Sequence, residues 1–226
     1  MSKEFDIELP LLLEAIHRQY SYDFRRYSPS SLKRRLEQAL QQMSVSLNLP
    51  QNIEMIPPVA QNDVEYQVAY RFTDAKYEVR ISLFPQSYLV RESGGADIET
   101  YVPLFSMGLL AGIAKDSLYF SRTADLPGPT VAKEFGADRG MTALVQGNKS
   151  DFGKGYAYIA VTFLYKAGKG VVVVYFLYNN ARDLQIDGLD FSRAYYCFRF
   201  SRIDLEQEPS HAAQALPPGG DDRPQD

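Results

Sequence analysis

Tryptophan is missing from this 226-residue chain, cysteine occurs once and histidine twice. Each scarcity removes a class of chemistry. The lone Cys197 cannot close an internal disulfide, and one thiol in an aromatic run reads as a small buried hydrophobe. His17 falls in the first predicted helix and His211 in the C-terminal stretch. No Ser-His-Asp or Cys-His arrangement assembles from the body of the chain, and no His/Cys cluster has metal-ligand spacing. Neither a metal nor a cofactor is expected. A large charge excess is lacking too: the net charge is −4, so there is no global attraction to nucleic acid or to an acidic membrane. No stretch approaches the ~20 apolar residues of a membrane span. Met1 and the polar residues after it lack the basic and apolar regions of a signal peptide. The expectation is a cytoplasmic protein.

What is present is an ordinary globular balance, 45% hydrophobic and 23% charged, with 16 Tyr and 13 Phe. Such aromatics suit Tyr-rich strands, and equally a Tyr-lined groove. The most informative stretch runs from Gly155 to Tyr178. Two apolar, β-branched and aromatic runs flank the turn Ala167-Gly-Lys-Gly170, which reads as a β-hairpin. Neither run alternates with polar residues, so both faces should be covered, as in the middle of a sheet.

Other elements follow from periodicity. Tyr66, Val68, Tyr70 and Phe72, then Tyr77, Val79, Ile81 and Leu83, alternate with polar residues around a turn at Thr73–Ala75. This predicts an antiparallel hairpin with one wet face. Ile98, Tyr101, Val102, Phe105, Leu109, Leu110 and Ile113 fall at helical spacing, ending near Lys115. Thr130 to Phe135 could form one or two helical turns, and Arg139 to Gln146 a strand. Residues 190–200 fit either a helix or a strand, with helix slightly favoured. From Gln207 onward no periodicity survives, and a disordered tail is expected.

At the N-terminus, Ile7, Leu11, Leu12, Ala15, Ile16 and Tyr20 form one helical stripe. Ser28 as cap and Pro29 at the first helical position begin a second, with Leu32, Leu36, Ala39, Leu40 and Met43 on one side. Its other side bears Lys33, Arg34, Glu37, Gln38 and Gln41. The aromatic and basic connection Tyr20–Tyr27 joins the two helices.

This hairpin resembles the start of the chemotaxis-receptor (CheR-type) methyltransferases, whose small helical domain has the pattern LLxxIxxxxGxDFxxYxxxxLxRRI. The agreement is at Leu12, Leu13, Ile16, Asp23, Phe24, Tyr27, Leu32, Arg34, Arg35 and Leu36; Ser21 stands where the family has Gly. The likeness covers about 40 residues. It implies a domain that touches a receptor, so Arg25, Arg26, Lys33, Arg34 and Arg35 become the candidate partner-binding residues. The family's following S-adenosylmethionine domain has no counterpart here: no strand, Gly-rich turn and helix follow residue 45. Methyl transfer is not implied. The bland reading of the same basic residues is a solvated helix face.

Two further motifs dissolve on inspection. Gly147–Gly155 holds Lys149 and Lys154, yet its glycine spacing is wrong for a phosphate loop, Gly155 replaces Ser or Thr, and a strand follows. A hairpin loop is the better account. Gly108-Leu-Leu-Ala-Gly112 matches a membrane dimerisation pattern in a segment too short and too amphipathic for it. The carboxylates fall at turns or outward strand positions, with no readable acid/base pair.

The fold expected is α+β, a mainly antiparallel sheet flanked by helices. Its parts are a helical hairpin (1–45), a linker (46–62), the main domain (63–205) and a tail (206–226). The element order loosely resembles the Mog1/PsbP-type α/β/α sandwich. The function expected is non-enzymatic: an adaptor whose hairpin docks a protein partner, with a chemotaxis-related setting implied by the resemblance. Two alternatives stay open. One is a small-ligand binder or carboxylate-dependent enzyme with a Tyr-lined cleft; the other is an accessory structural domain whose hairpin likeness is accidental.

Overall fold

The computed structural model describes residues 29–56, 64–73, 76–114, 122–147, 152–153, 155–180 and 197–201. In chain order these form α1 (Pro29–Met43), β1 (Val45–Leu47), β2 (Ile53–Met55), β3 (Val68–Phe72), β4 (Glu78–Pro85), α2 (Gln86–Glu92), α3 (Ile98–Ala114), β5 (Arg122–Asp125), α4 (Gly128–Thr130) running into a π-turn (Val131–Phe135), β6 (Arg139–Gln146), β7 (Tyr158–Lys166), β8 (Gly170–Tyr178) and β9 (Phe198–Phe200).

Seven strands make one sheet in the order β2-β3-β4-β8-β7-β6-β5. Every neighbouring pair is antiparallel. The late apolar hairpin lies where its composition places it. β7 and β8 pair from Tyr158↔Tyr178 to Lys166↔Gly170, and β8 is the middle strand, buried along its whole length. A strand of Val, Phe, Tyr and Leu with no polar alternation is stable only when both faces are dry. Gly170 closes the turn at φ +128°, where a Cβ would strike the Phe84 carbonyl. Only glycine tolerates that approach.

Two cores result, one on each face. On the first, Tyr70, Val79, Ile81, Val172 and Val174 meet Leu36, Leu40 and Met43 of α1, with Phe135 and Phe200 beside them. On the second, Phe84, Val171, Val173 and Tyr175 meet Leu110 and Ile113 of α3 and Leu89 of α2. Phe84 and Phe105 meet edge to face at 4.9 Å, the geometry that ring quadrupoles favour. The chain is therefore α+β, an antiparallel sheet with helices on both faces, as its sequence predicts.

The structure revises several local expectations. The β3–β4 hairpin has no wet face along β4: Glu78, Arg80 and Ser82 are all buried. Two helices and the Tyr66 and Phe152 rings cover what alternation alone would leave to water. The slight preference for helix over 190–200 fails at its described end. Phe198–Phe200 is a strand with alternating burial, paired with β1; residues 190–196 lie outside the described residues. Within the stretch expected to be a linker, Leu47 ends β1 and Ile53–Met55 pairs with β3. The β6–β7 connection is a hairpin loop, as expected, tied by Gly147 N–H donating to the Ala157 carbonyl at 2.9 Å.

Candidate functional site

The sequence points to α1. Its inner side is anchored: Met43 is fully buried, and Leu36, Ala39 and Leu40 pack against the first core. With that side fixed, helical geometry turns Lys33, Arg34, Arg35, Glu37, Gln38 and Gln41 outward, and all six are exposed. Lys33 Nζ lies 3.9 Å from Glu37 Oε1 one turn on, with the two side chains 77% and 61% exposed. Such a pair contributes only tenths of a kcal/mol, about 0.2–0.5 in an isolated helix. The face thus stays cationic and wet. Of the five candidate residues, Lys33 and Arg34 share this face with Glu37, Gln38 and Gln41, and Arg35, exposed too, lies at its margin; Arg25 and Arg26 lie outside the described residues.

A second polar cluster is invisible in the sequence because its members read as outward charges. Glu78, at the start of β4, takes three donors. Arg80 Nε reaches Oε1 at 2.7 Å, the Tyr156 hydroxyl reaches Oε2 at 2.9 Å, and Arg71 Nη2 reaches Oε2 at 3.4 Å. Arg80 also donates to the Phe152 carbonyl at 2.6 Å. Its guanidinium carbon lies 4.9 and 4.8 Å from the Tyr66 and Phe152 ring centroids, a cation–π arrangement. Burial, then the Glu78 charge, pushes the Tyr156 phenol up. Contact with Tyr156, and beyond it Glu78, raises the Arg71 guanidinium. Through Tyr156, and through Arg80 and its bond to the Phe152 carbonyl, Glu78 ties the β6–β7 loop to β4, with Arg71 of β3 as a third donor.

Three of the described tyrosines, Tyr70, Tyr77 and Tyr175, are fully buried and serve the core. The Tyr70 hydroxyl lies 3.6 Å from Cys197 Sγ, and burial drives both groups up, Cys197 to about 11. The thiol is therefore neutral at ordinary pH and no nucleophile. Tyr165 is pushed to about 12 by burial and then by Glu99, which it contacts at 3.2 Å. At Asp138, burial pulls upward, but hydrogen bonds from Lys166 Nζ (2.7 Å) and the Ala167 amide (2.8 Å) prevail and lower it.

Among the described residues no group of three or more His, Cys, Asp or Glu could hold a metal ion. Among the same residues no helix is long and apolar enough to cross a membrane. His17, His211, Lys149 and Lys154 lie outside the described residues.

Fold and side-chain geometry thus define an α+β scaffold with one exposed basic helix face and a buried ion network. Against known proteins, no family model matches the chain, and no solved structure matches it. A segment of 37 residues is 62% identical to the Pseudomonas putida protein named "Putative methyltransferase Cher3". That match covers 16% of this chain and 14% of the relative. The remainder of the chain is unmatched.

Proposed function

We propose that this protein is a non-enzymatic adaptor, whose sandwich is a scaffold and whose α1 docks an acidic protein partner through Lys33, Arg34 and Arg35, helped by Arg25 and Arg26. The observation that carries the reading is the two-sidedness of α1. Its apolar side is locked into the core while its cationic side faces solvent, so the charges are held on a rigid support. The short match to a protein named as a methyltransferase supports a chemotaxis-related partner. Its 37 residues are about the length of the hairpin that resembles that family's receptor-contacting domain. Electrostatic complementarity of this kind sets encounter rate and orientation more than raw affinity.

Titration of the full chain with chemoreceptor cytoplasmic segments tests this. Binding that weakens with salt, and that disappears in the Lys33→Glu/Arg34→Glu/Arg35→Glu variant with its circular dichroism unchanged, is the expected result. No binding at tens of micromolar would retire the docking role. A second reading has an observation of its own: Met43 and Leu40 belong to the core, so α1 serves the fold whether or not a partner binds. On that reading, truncating the helix unfolds the domain while the charge-reversed variant behaves as the parent in every assay.

A further inference from the structure

We propose that the outer side of α3 pairs, antiparallel and across a two-fold axis, with the same helix of a second copy of this chain. The pairing is independent of the docking role proposed above. It starts from a helix that is apolar on two sides. Inward, Leu110, Ile113 and Ala114 are buried in the second core. Outward, Leu104 is 66% exposed and Met107 41%, and residues 100–114 carry no charge. A helix apolar all round is ordinarily covered on every side. Among the described residues six large hydrophobic side chains are exposed: Leu104 and Met107, Val90 of α2, and three others. Half of them thus belong to the two helices that cover this one face of the sheet, where Tyr88 of α2 meets Phe105 of α3.

The spacing of that outer side says what fits it. Thr100, Leu104, Met107 and Ala111 are four, three and four residues apart, the step of a seam between two helices. Laid antiparallel about an axis between Phe105 and Ser106, the strip meets itself in register. Leu104 then faces the partner's Met107, and Thr100 faces the partner's Ala111, so large meets large and small meets small. Gly108 leaves room beside them, since nothing lies within 4 Å of where its Cβ would sit. Charge favours a copy as the occupant. An isologous contact sets one surface against itself, so any charge on it confronts its like. The α3 strip has none, whereas the outer side of α1, with Lys33 and Arg34 exposed, would repel its own copy.

Area sets the strength of the pair. A strip one helix wide and about three turns long falls short of the ~800 Å² per partner that a standard stable interface buries. The dimer should therefore be reversible, and populated only at micromolar concentrations or above. Because α1 packs on the opposite face of the sheet, pairing through α3 leaves the basic side of α1 uncovered in both copies.

Sedimentation equilibrium of the full chain between about 5 and 500 µM tests the pairing, and the weight-average mass should climb from 25.6 kDa toward twice that. Leu104→Glu and Met107→Glu should each hold at 25.6 kDa over the same range, with circular dichroism and melting unchanged because both side chains are exposed. A mixture of the Leu104→Cys and Met107→Cys proteins should cross-link under a mild oxidant, and neither alone should do so, since the native Cys197 is buried and only the antiparallel register sets 104 against 107. A parent mass fixed at 25.6 kDa would overturn the pairing; binding to phosphatidylcholine vesicles that Leu104→Glu abolishes would then assign the face to a lipid surface. Association that persists in both Glu variants would overturn its location on α3. Cross-linking of Leu104→Cys by itself, as efficient as in the mixture, would overturn the antiparallel register.

Discussion

Glu78 and Arg80 are two residues apart on β4 and point to the same side, so their pairing is written into strand geometry. What makes the pair consequential is its environment. The Glu78 and Arg80 side chains are 4% and 9% exposed. Removing one partner from a buried pair strands the other charge, at a cost of roughly 3–5 kcal/mol. Glu78→Gln should therefore lower stability by that order in urea denaturation. Glu78→Leu/Arg80→Met should lose less than either single change, because no buried lone charge remains, the Arg71 side chain being half-exposed. A double variant worse than both singles would show that the bonds of Glu78 to Tyr156 and Arg71 and those of Arg80 to Phe152 add independently and outweigh the pair itself. Asp138 is a milder case, since its side chain is 41% exposed and solvent screens its pairing, leaving at most about 1 kcal/mol. Its pKa is lowered in the fold, so its contribution is complete above the unfolded value, about 3.9, and is lost as pH falls through the folded one. The stability gap between the parent and Asp138→Asn should be constant from neutrality down to mild acid and close below that. A gap that widens on acidification would contradict the assignment.

At the scale of elements, the β7–β8 turn is where a single methyl group should do most harm. Gly170 combines φ +128° with backbone contacts to Phe84 and Gln86, and the Gln86 amide donates to the Lys169 carbonyl at 3.0 Å. Gly170→Ala would force this junction of β4, α2 and the turn apart, costing about 2 kcal/mol or more. Gly168→Ala offers a control. It also has positive φ, +73°, but nothing lies within 4 Å of its Cβ position, so its penalty is conformational alone, about 1 kcal/mol. Thermal melts of the two variants should rank in that order. For α1, single charge removals at Lys33 or Arg34 should leave stability within about 0.5 kcal/mol, since both side chains are exposed. A change of that size at the basic face alters binding or nothing.

Over the whole molecule, the sheet order joins distant parts of the chain: β4 pairs with β8, so Pro85 meets Gly170 and Glu78 meets Leu177. Pairings across that much sequence close large loops before any contact rewards them, and folding should take milliseconds to seconds. Native-state hydrogen exchange should find its slowest amides in β8 and its two neighbours, β4 and β7. Those of the edge strands β2 and β5 should exchange far sooner. Protection spread evenly over all seven strands would argue against β8 as the centre of stability.

The helix at 98–114, the two hairpins and the antiparallel α+β class were all legible in the residues, because each rests on a local rule. Helical spacing, period-two alternation and a glycine turn between apolar runs are set by neighbours in sequence. The basic face of α1 was legible for the same reason. Hidden from that reading were the strands β1, β2 and β5, each three or four residues long, which exist because another strand offers a ladder of hydrogen bonds; β9 was legible only as one of two alternatives. Hidden too were α2, whose Leu89 is claimed by the second core, and the dry side of β4. Alternating charge marks a wet face only if nothing covers it, and the layer of Tyr66, Phe152 and two helices comes from elsewhere in the chain. Sequence by itself thus determined which segments could be regular and which way they could turn. Tertiary structure alone decided which polar groups went under cover, because burial depends on what arrives from far along the chain.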